Sequence, residues 1–149
     1  MVYFCGMKYL LIWWLSLAAL LPGDDTPARL DIYLEWDKQP AAQWIIYIYD
    51  SPEDFPVHPH KAFKKLTVRP RPGQPVRILL PPGQYAIAAY VDRNGNGRID
   101  RNWLGLPAEP YALSGDPAFH FGPPRFEECQ ISVRRPQTVV RLKAKEGFF

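Results

Sequence analysis

Cysteine is scarce. The 149-residue chain contains two, Cys5 and Cys129, and the first falls in a segment that reads as a removable leader. The mature chain then has no internal disulfide, which excludes a disulfide-stapled scaffold. At this length one domain buries a sufficient core without staples. An odd cysteine in an exported chain is open to intermolecular pairing. In FEECQISV, however, the alternation puts Cys129 on an apolar face with Ile131 and Val133, opposite Glu128, Gln130 and Ser132. A buried, inert thiol is expected there.

A helical apolar period is missing as well, and no internal repeat or low-complexity tract is present. Charge of one sign is not in excess: the net charge is +3, and +2 once Lys8 leaves with the leader. That gives no global attraction for nucleic acid. A local basic group (Lys61, Lys64, Lys65, Arg69, Arg71 and Arg77) is interleaved with one aromatic, Phe63. It reads as a solvated strand pair with protected edges rather than a polyanion or membrane-surface patch.

Long hydrophobic runs are limited to one. Lys8 precedes an apolar run from Tyr9 to Leu21, followed by small and turn residues and by Asp24-Asp25. This is the order of a secretory signal peptide, and the run falls short of the roughly 20 apolar residues of a membrane span. Residues 1–23 are expected to be a signal peptide cleaved between Ala19 and Gly23, and residues 24–149 a single mature domain with no transmembrane segment. Translation from Met7 would serve equally, since MKYLLIWWLSLAALLPG is a complete signal. No lipobox cysteine follows the run, which argues against a lipoprotein. A periplasmic or secreted location follows.

What the chain has in quantity is proline, 17 residues of which all but Pro22 fall after the leader and mostly between apolar runs, and period-2 alternation. RLDIYLEW sets Leu30, Ile32, Leu34 and Trp36 against Asp31, Tyr33 and Glu35. QWIIYIY is apolar on both faces, as in a central strand whose outer side is covered. KLTVR and PVRILL follow around PRPGQP. LPPGQYAIAAYV joins two strands through Pro82-Gly83, a pair suited to a type II turn. EECQISVR and TVVRLKA form a last hairpin around Pro136-Gln137. The expected fold is all-β: an antiparallel two-sheet sandwich of about seven strands. Asp92 to Arg125 shows no good strand, and its apolar residues (Trp103, Leu104, Leu106, Tyr111, Leu113, Phe119 and Phe121) predict a long loop packed on the outer face of the QWIIYIY sheet.

That segment carries the one chemical motif. In DRNGNGRID, Asp92, Asn94 and Asn96 place oxygen-bearing side chains at alternate positions, followed by Gly97, Arg98 and Asp100. This matches the first three-quarters of a D-x-[DN]-x-[DN]-G calcium loop, with the Arg98 carbonyl as a further oxygen. Gly95 and Gly97 permit the tight curl. The position of the bidentate glutamate holds Trp103 and no flanking helices are predicted, so this is not an EF-hand. A further carboxylate has to come from Glu109, Asp116 or Glu127. With few acidic ligands, calcium would bind weakly, with a dissociation constant on the order of 10⁻⁴ to 10⁻³ M. The competing reading is a plain type I′ hairpin turn, for which Asn-Gly is the strongest short signal. His58-Pro59-His60 has the spacing for two zinc-binding imidazoles, but lacks a nearby third ligand and reads as exposed loop. His120 reads as packed or solvent-facing. Ser114 has no nucleophile-elbow context, and no Ser-His-Asp or Cys-His set is apparent.

YDSPEDFP, LPPGQYAIAAYVDRNGNGRID, NWLGLPAEPYALS and FGPPRFEE, in that order and spacing, resemble the bacterial DUF2141 family over about residues 30–142. The resemblance implies a secreted β-sandwich of transthyretin-like or immunoglobulin-like type without an established biochemical activity. Matching positions are Phe55-Pro56, Asp92, Asn94, Gly95, Asn96, Gly97, Asp100, Gly105, Pro107, Glu109, Tyr111, Ser114 and Gly122-Pro123-Pro124. Two departures stand out: Val91 where members commonly have histidine, and Gly115-Asp116 where asparagines often follow the serine. The retained pattern makes Glu109 the first choice for the missing carboxylate.

The reading that results is a non-enzymatic, monomeric binding or accessory module for an envelope or extracellular ligand, expected to hold calcium at Asp92, Asn94, Asn96, Arg98, Asp100 and Glu109. One alternative is a carbohydrate-binding module using exposed aromatics such as Tyr33. Another is a metal-dependent envelope hydrolase around Asp92, Asp100 and Glu109, although nothing marks a base. Export is testable directly. Intact-mass analysis of secreted protein is expected to lack residues up to about Gly23, and full-length chain in the membrane fraction would contradict it.

Overall fold

The computed structural model describes residues 26–38, 42–117 and 122–146. The leader, Phe119, His120 and Phe121 lie outside the described residues. Eight strands form two sheets: β1 (Ala28–Glu35), β2 (Gln43–Tyr49), β3 (Lys64–Val68), β4 (Val76–Leu80), β5 (Gly83–Asp92), β6 (Tyr111–Leu113), β7 (Gln130–Val133) and β8 (Gln137–Lys143). One sheet has the order β4-β1-β8. The other runs β3-β2-β5-β6, with β7 also pairing to β5.

The central strands follow their alternation. Trp44, Ile46 and Ile48 of β2 and Tyr85, Ile87, Ala89 and Val91 of β5 face the smaller sheet, where they meet Leu30, Ile32, Leu80 and Leu142. The opposite faces of the same strands carry Ile45, Tyr47, Tyr49, Ala86, Ala88 and Tyr90, and these are buried too. A second apolar layer therefore covers the outside of the larger sheet, as QWIIYIY implied. The cover differs from the predicted one. Phe55 packs edge-on against Tyr49 at 5.3 Å and against Phe126 at 6.0 Å. Tyr111, Leu113 and Ile99 join them from the 92–125 segment, whereas Trp103, Leu104 and Leu106 stay exposed.

Other corrections concern topology. The 92–125 segment contains a strand after all: β6 pairs antiparallel with Ala88–Tyr90 of β5. Three residues are too few for alternation to show. The sandwich is not wholly antiparallel, because β1 and β8 run parallel from Arg29 opposite Gln137 to Glu35 opposite Lys143. No last hairpin forms: β7 pairs with β5 in one sheet and β8 with β1 in the other. The junction at Pro82-Gly83 also changes sheet, and Gly83 is not among the residues with positive φ. Sandwich corners and hairpins both draw on proline and glycine, so composition does not separate them. The basic strands β3 and β4 are sheet edges as expected, but of different sheets, so they are not a pair.

FEECQISV begins as a helical turn, α1 (Phe126–Cys129), before β7 starts at Gln130. Arg125 N–H donates to the Glu128 carboxylate at 2.8 Å, closing the turn's first residues. Cys129 is fully buried, but on the outer aromatic layer, while Ile131 and Val133 pack between the sheets. Burial was legible and the face was not. Desolvation pushes the Cys129 thiol up to about 12, so thiolate is scarce at pH 8. Alkylation there is expected to be at least about a hundredfold slower in the folded protein than in denaturant. Rapid native labelling would contradict the packing.

Candidate functional site

β5 and β6 are one hairpin with a long connection, 93–110, and the Val91 N–H to Pro110 carbonyl bond at 2.8 Å extends their pairing to its base. The connection is held by two carboxylates. Asp92 is 3 % exposed. Its Oδ1 accepts the N–H groups of Gly95 at 2.7 Å and Asn96 at 3.2 Å. Its Oδ2 accepts the Gly97 N–H and the Gln43 amide, each at 2.9 Å. Glu109, also 3 % exposed, closes the loop from the other arm, accepting Arg93 N–H at 3.0 Å and Asp100 N–H at 3.3 Å. Burial pushes the Glu109 carboxyl above its ordinary range, and these two N–H bonds offset part of that.

The asparagines repeat the pattern at the surface. Asn94 Oδ1 accepts the Asn96 N–H at 3.0 Å and Asn96 Oδ1 accepts the Arg98 N–H at 2.8 Å. Both side-chain amides donate to Asp100, Asn94 at 2.6 Å and Asn96 at 2.9 Å. Positive φ falls on Gly95 (72°) and Gly97 (73°) and not on the asparagines. A type I′ turn needs two consecutive positive φ angles, so the loop does not take that turn type. The loop curls because alternate side chains fold back on its own N–H groups.

Asp92, Asn94, Asn96, Asp100 and Glu109 are thus brought together, with the Arg98 side chain exposed beside them. Of the other candidate carboxylates, Asp116 pairs with Lys145 at 2.5 Å and Glu127 is exposed on α1. His58 and His60 have ring centroids 5.7 Å apart, both exposed, around a 3-10 turn at Pro59–Lys61. Among the described residues no group of three or more His, Cys, Asp or Glu is arranged to hold a metal. Ser114 is buried and bonds to β5 and α1, accepting Ile87 N–H at 2.8 Å and donating to the Cys129 carbonyl.

Sequence reasoning missed the far end of the loop. Arg101 and Pro107 form an isolated bridge, and the turn between them is tied by Asn102. Its Oδ1 accepts Leu104 N–H and Leu106 N–H, both at 3.0 Å. Its backbone N–H reaches the Leu106 carbonyl, and its carbonyl accepts the Gly105 N–H, both at 2.9 Å. The Arg101 guanidinium caps the Gly105 carbonyl at 2.8 Å. This ordered turn presents Trp103 at 88 % exposure, Leu104 at 58 % and Leu106 at 39 %. An Asn-x-Leu-Gly run between bridged residues was the available signal, but apolar side chains there read as packing.

Removing the Asp92 carboxylate takes the acceptor from the Gly95 and Gly97 N–H groups and leaves the Asn96 N–H only Asn94 Oδ1. Asp92→Ala is expected to lower stability by about 2–4 kcal/mol in EDTA-containing buffer. Asp92→Asn, which keeps one acceptor oxygen, should cost less. Urea midpoints check both, and a change under about 0.5 kcal/mol for the alanine variant would contradict the anchoring role.

No curated protein matches the chain. A candidate adhesin from Bacteroides ovatus, solved by crystallography, is similar over 97 % of this chain and 50 % of its own, at 13 % identity and a TM-score of 0.37. A likeness of that degree carries no functional weight. The family described as "Uncharacterized protein conserved in bacteria (DUF2141)" matches residues 38–141, the span that contains the double-faced strands, the carboxylate-braced loop and the Ser114 tie: the chain belongs to the DUF2141 family.

Proposed function

We propose that the protein is an exported, non-catalytic binding module whose working end is the 92–109 connection, stabilised by weakly bound calcium. The observation that carries this is the use of its carboxylates. Asp92 is saturated by donors, and both Glu109 oxygens face backbone N–H groups. Burial raises the Glu109 carboxyl above its ordinary range, and its oxygens face backbone N–H groups rather than open surface. These groups build a rigid support for a displayed turn. The metal-dependent hydrolase reading needs a base, and both Glu109 oxygens already accept backbone N–H groups.

The calcium part rests on acceptor capacity. Each Asn carboxamide oxygen and each Glu109 oxygen accepts one N–H and has a second lone pair. The Asn94 and Asn96 amides already converge on Asp100, and a half-turn of each would direct oxygens to the same point. Around the donor-saturated Asp92, the Asn94 and Asn96 oxygens, the Arg98 carbonyl, Asp100 and Glu109 supply the oxygen-rich set calcium prefers. A carbohydrate-binding role has one specific support, the exposed Trp103 indole, and glycan-array binding lost in Trp103→Ala would favour it.

A dissociation constant of about 0.1 mM gives roughly 1.4 kcal/mol of stabilisation at about 1 mM free calcium. The melting temperature should then rise by about 3–6 °C over EDTA. Magnesium should do much less, since it requires tight octahedral geometry. Asp92→Asn with Asp100→Asn should abolish the response, whereas Arg98→Ala should not. Coincident calcium and EDTA melts would remove calcium from the reading.

A further inference from the structure

The geometry points to an anionic lipid surface as the partner of the 101–107 turn: we propose that Trp103, Leu104 and Leu106 enter the interfacial layer of a membrane while neighbouring arginines meet lipid phosphates. This deepens the binding-module reading and rests on it.

Three observations converge. The first is apolar display on an ordered turn. An indole with a leucine beside it and another three residues on is the composition that settles at a membrane–water interface. Trp36 and Trp44, the other tryptophans among the described residues, are buried in the core. The second is backbone accounting. The N–H groups of Asn102, Leu104, Gly105 and Leu106 are all bonded within the turn, as are the carbonyls of Asn102, Gly105 and Leu106. These bonds keep the named groups paired in a turn that leaves water, where each would otherwise be stranded. The third is charge. Across 92–109 the three arginines, Arg93, Arg98 and Arg101, are exposed, whereas the three carboxyl groups are buried (Asp92, Glu109) or half-buried (Asp100), and Lys65 reaches the Gly97 carbonyl at 3.4 Å. Basic residues flanking an apolar tip add attraction to an anionic leaflet. A sugar site is a poorer fit, because the indole is flanked by leucines rather than by converging polar groups.

The test uses the chain from Asp24 onward, so that the apolar leader contributes nothing, and vesicles of phosphatidylcholine with and without phosphatidylglycerol. Co-sedimentation is expected with the anionic vesicles and should weaken with salt, accompanied by a blue shift of tryptophan emission. Trp103→Ala and the pair Leu104→Ser, Leu106→Ser should each lower partitioning by about tenfold or more. Arg98→Glu, at an exposed side chain outside the turn, should lower it about tenfold. Urea midpoints near the parent's would show that the variants fold. No sedimentation of the parent, or sedimentation unchanged by Trp103→Ala, overturns the inference. So does Trp103-dependent capture of a protein or glycan without vesicle binding, an outcome that leaves the binding-module reading standing. That reading fails separately if Trp103→Ala changes binding to no vesicle, glycan or envelope fraction.

Discussion

Residues 85–92 of β5 have no exposed side, and the rest of the fold answers that constraint. A strand buried on both faces must be covered twice and must also pair along both edges. The smaller sheet covers one face. The other is closed by an aromatic layer drawn from distant parts of the chain, Phe55 before β3 and Phe126 after β6. Burial there pushes the Tyr90 hydroxyl up to about 12, so the layer is uncharged at any physiological pH. Along one edge β5 pairs with β2; along the other it is shared by β7 and β6, which meet it at Gly83–Ala86 and Ala88–Tyr90. Ile87 lies in the gap, and the Ser114 hydroxyl supplies the acceptor that neither strand provides. A buried serine hydroxyl thus completes a ladder.

The 93–110 connection extends the same logic beyond the sheet. Its backbone cannot pair with a neighbouring strand, so carboxylates and carboxamides take over as acceptors. Asp92 ends β5 and organises the first half. Glu109 stands two residues before β6 and fixes the second. Charge serves geometry here: two buried anions are held by backbone donors, and the exposed guanidinium groups remain outside.

Much of this was legible in the sequence, for identifiable reasons. Strands of five or more residues declare themselves by alternation, and β2 declared its double burial because both faces were apolar. The curl of the 92–100 loop was legible because D-x-N-x-N-G spacing folds alternate side chains inward, whether onto a cation or onto backbone N–H groups. Illegible were features with no period: β6, with three residues; the helical turn that moved Cys129 to the other face; and the sheet assignment of β7 and β8. Trp103 and Leu104 were misread for a different reason. Hydrophobicity predicts burial only when the backbone is free to fold inward, and the Asn102 bonds hold this turn outward.

The parallel pairing of the first and last strands has a mechanical meaning. β1 and β8 start at the same end, where Ala28 lies opposite Leu80, and run together to the end where Lys145 exchanges two bonds with Tyr111 beside the loop. Tension between the start of β1 and the end of β8 would load all their hydrogen bonds in shear at once rather than peel them singly. A tether at the start of β1 would also hold the molecule by the end remote from Asp92 and Glu109.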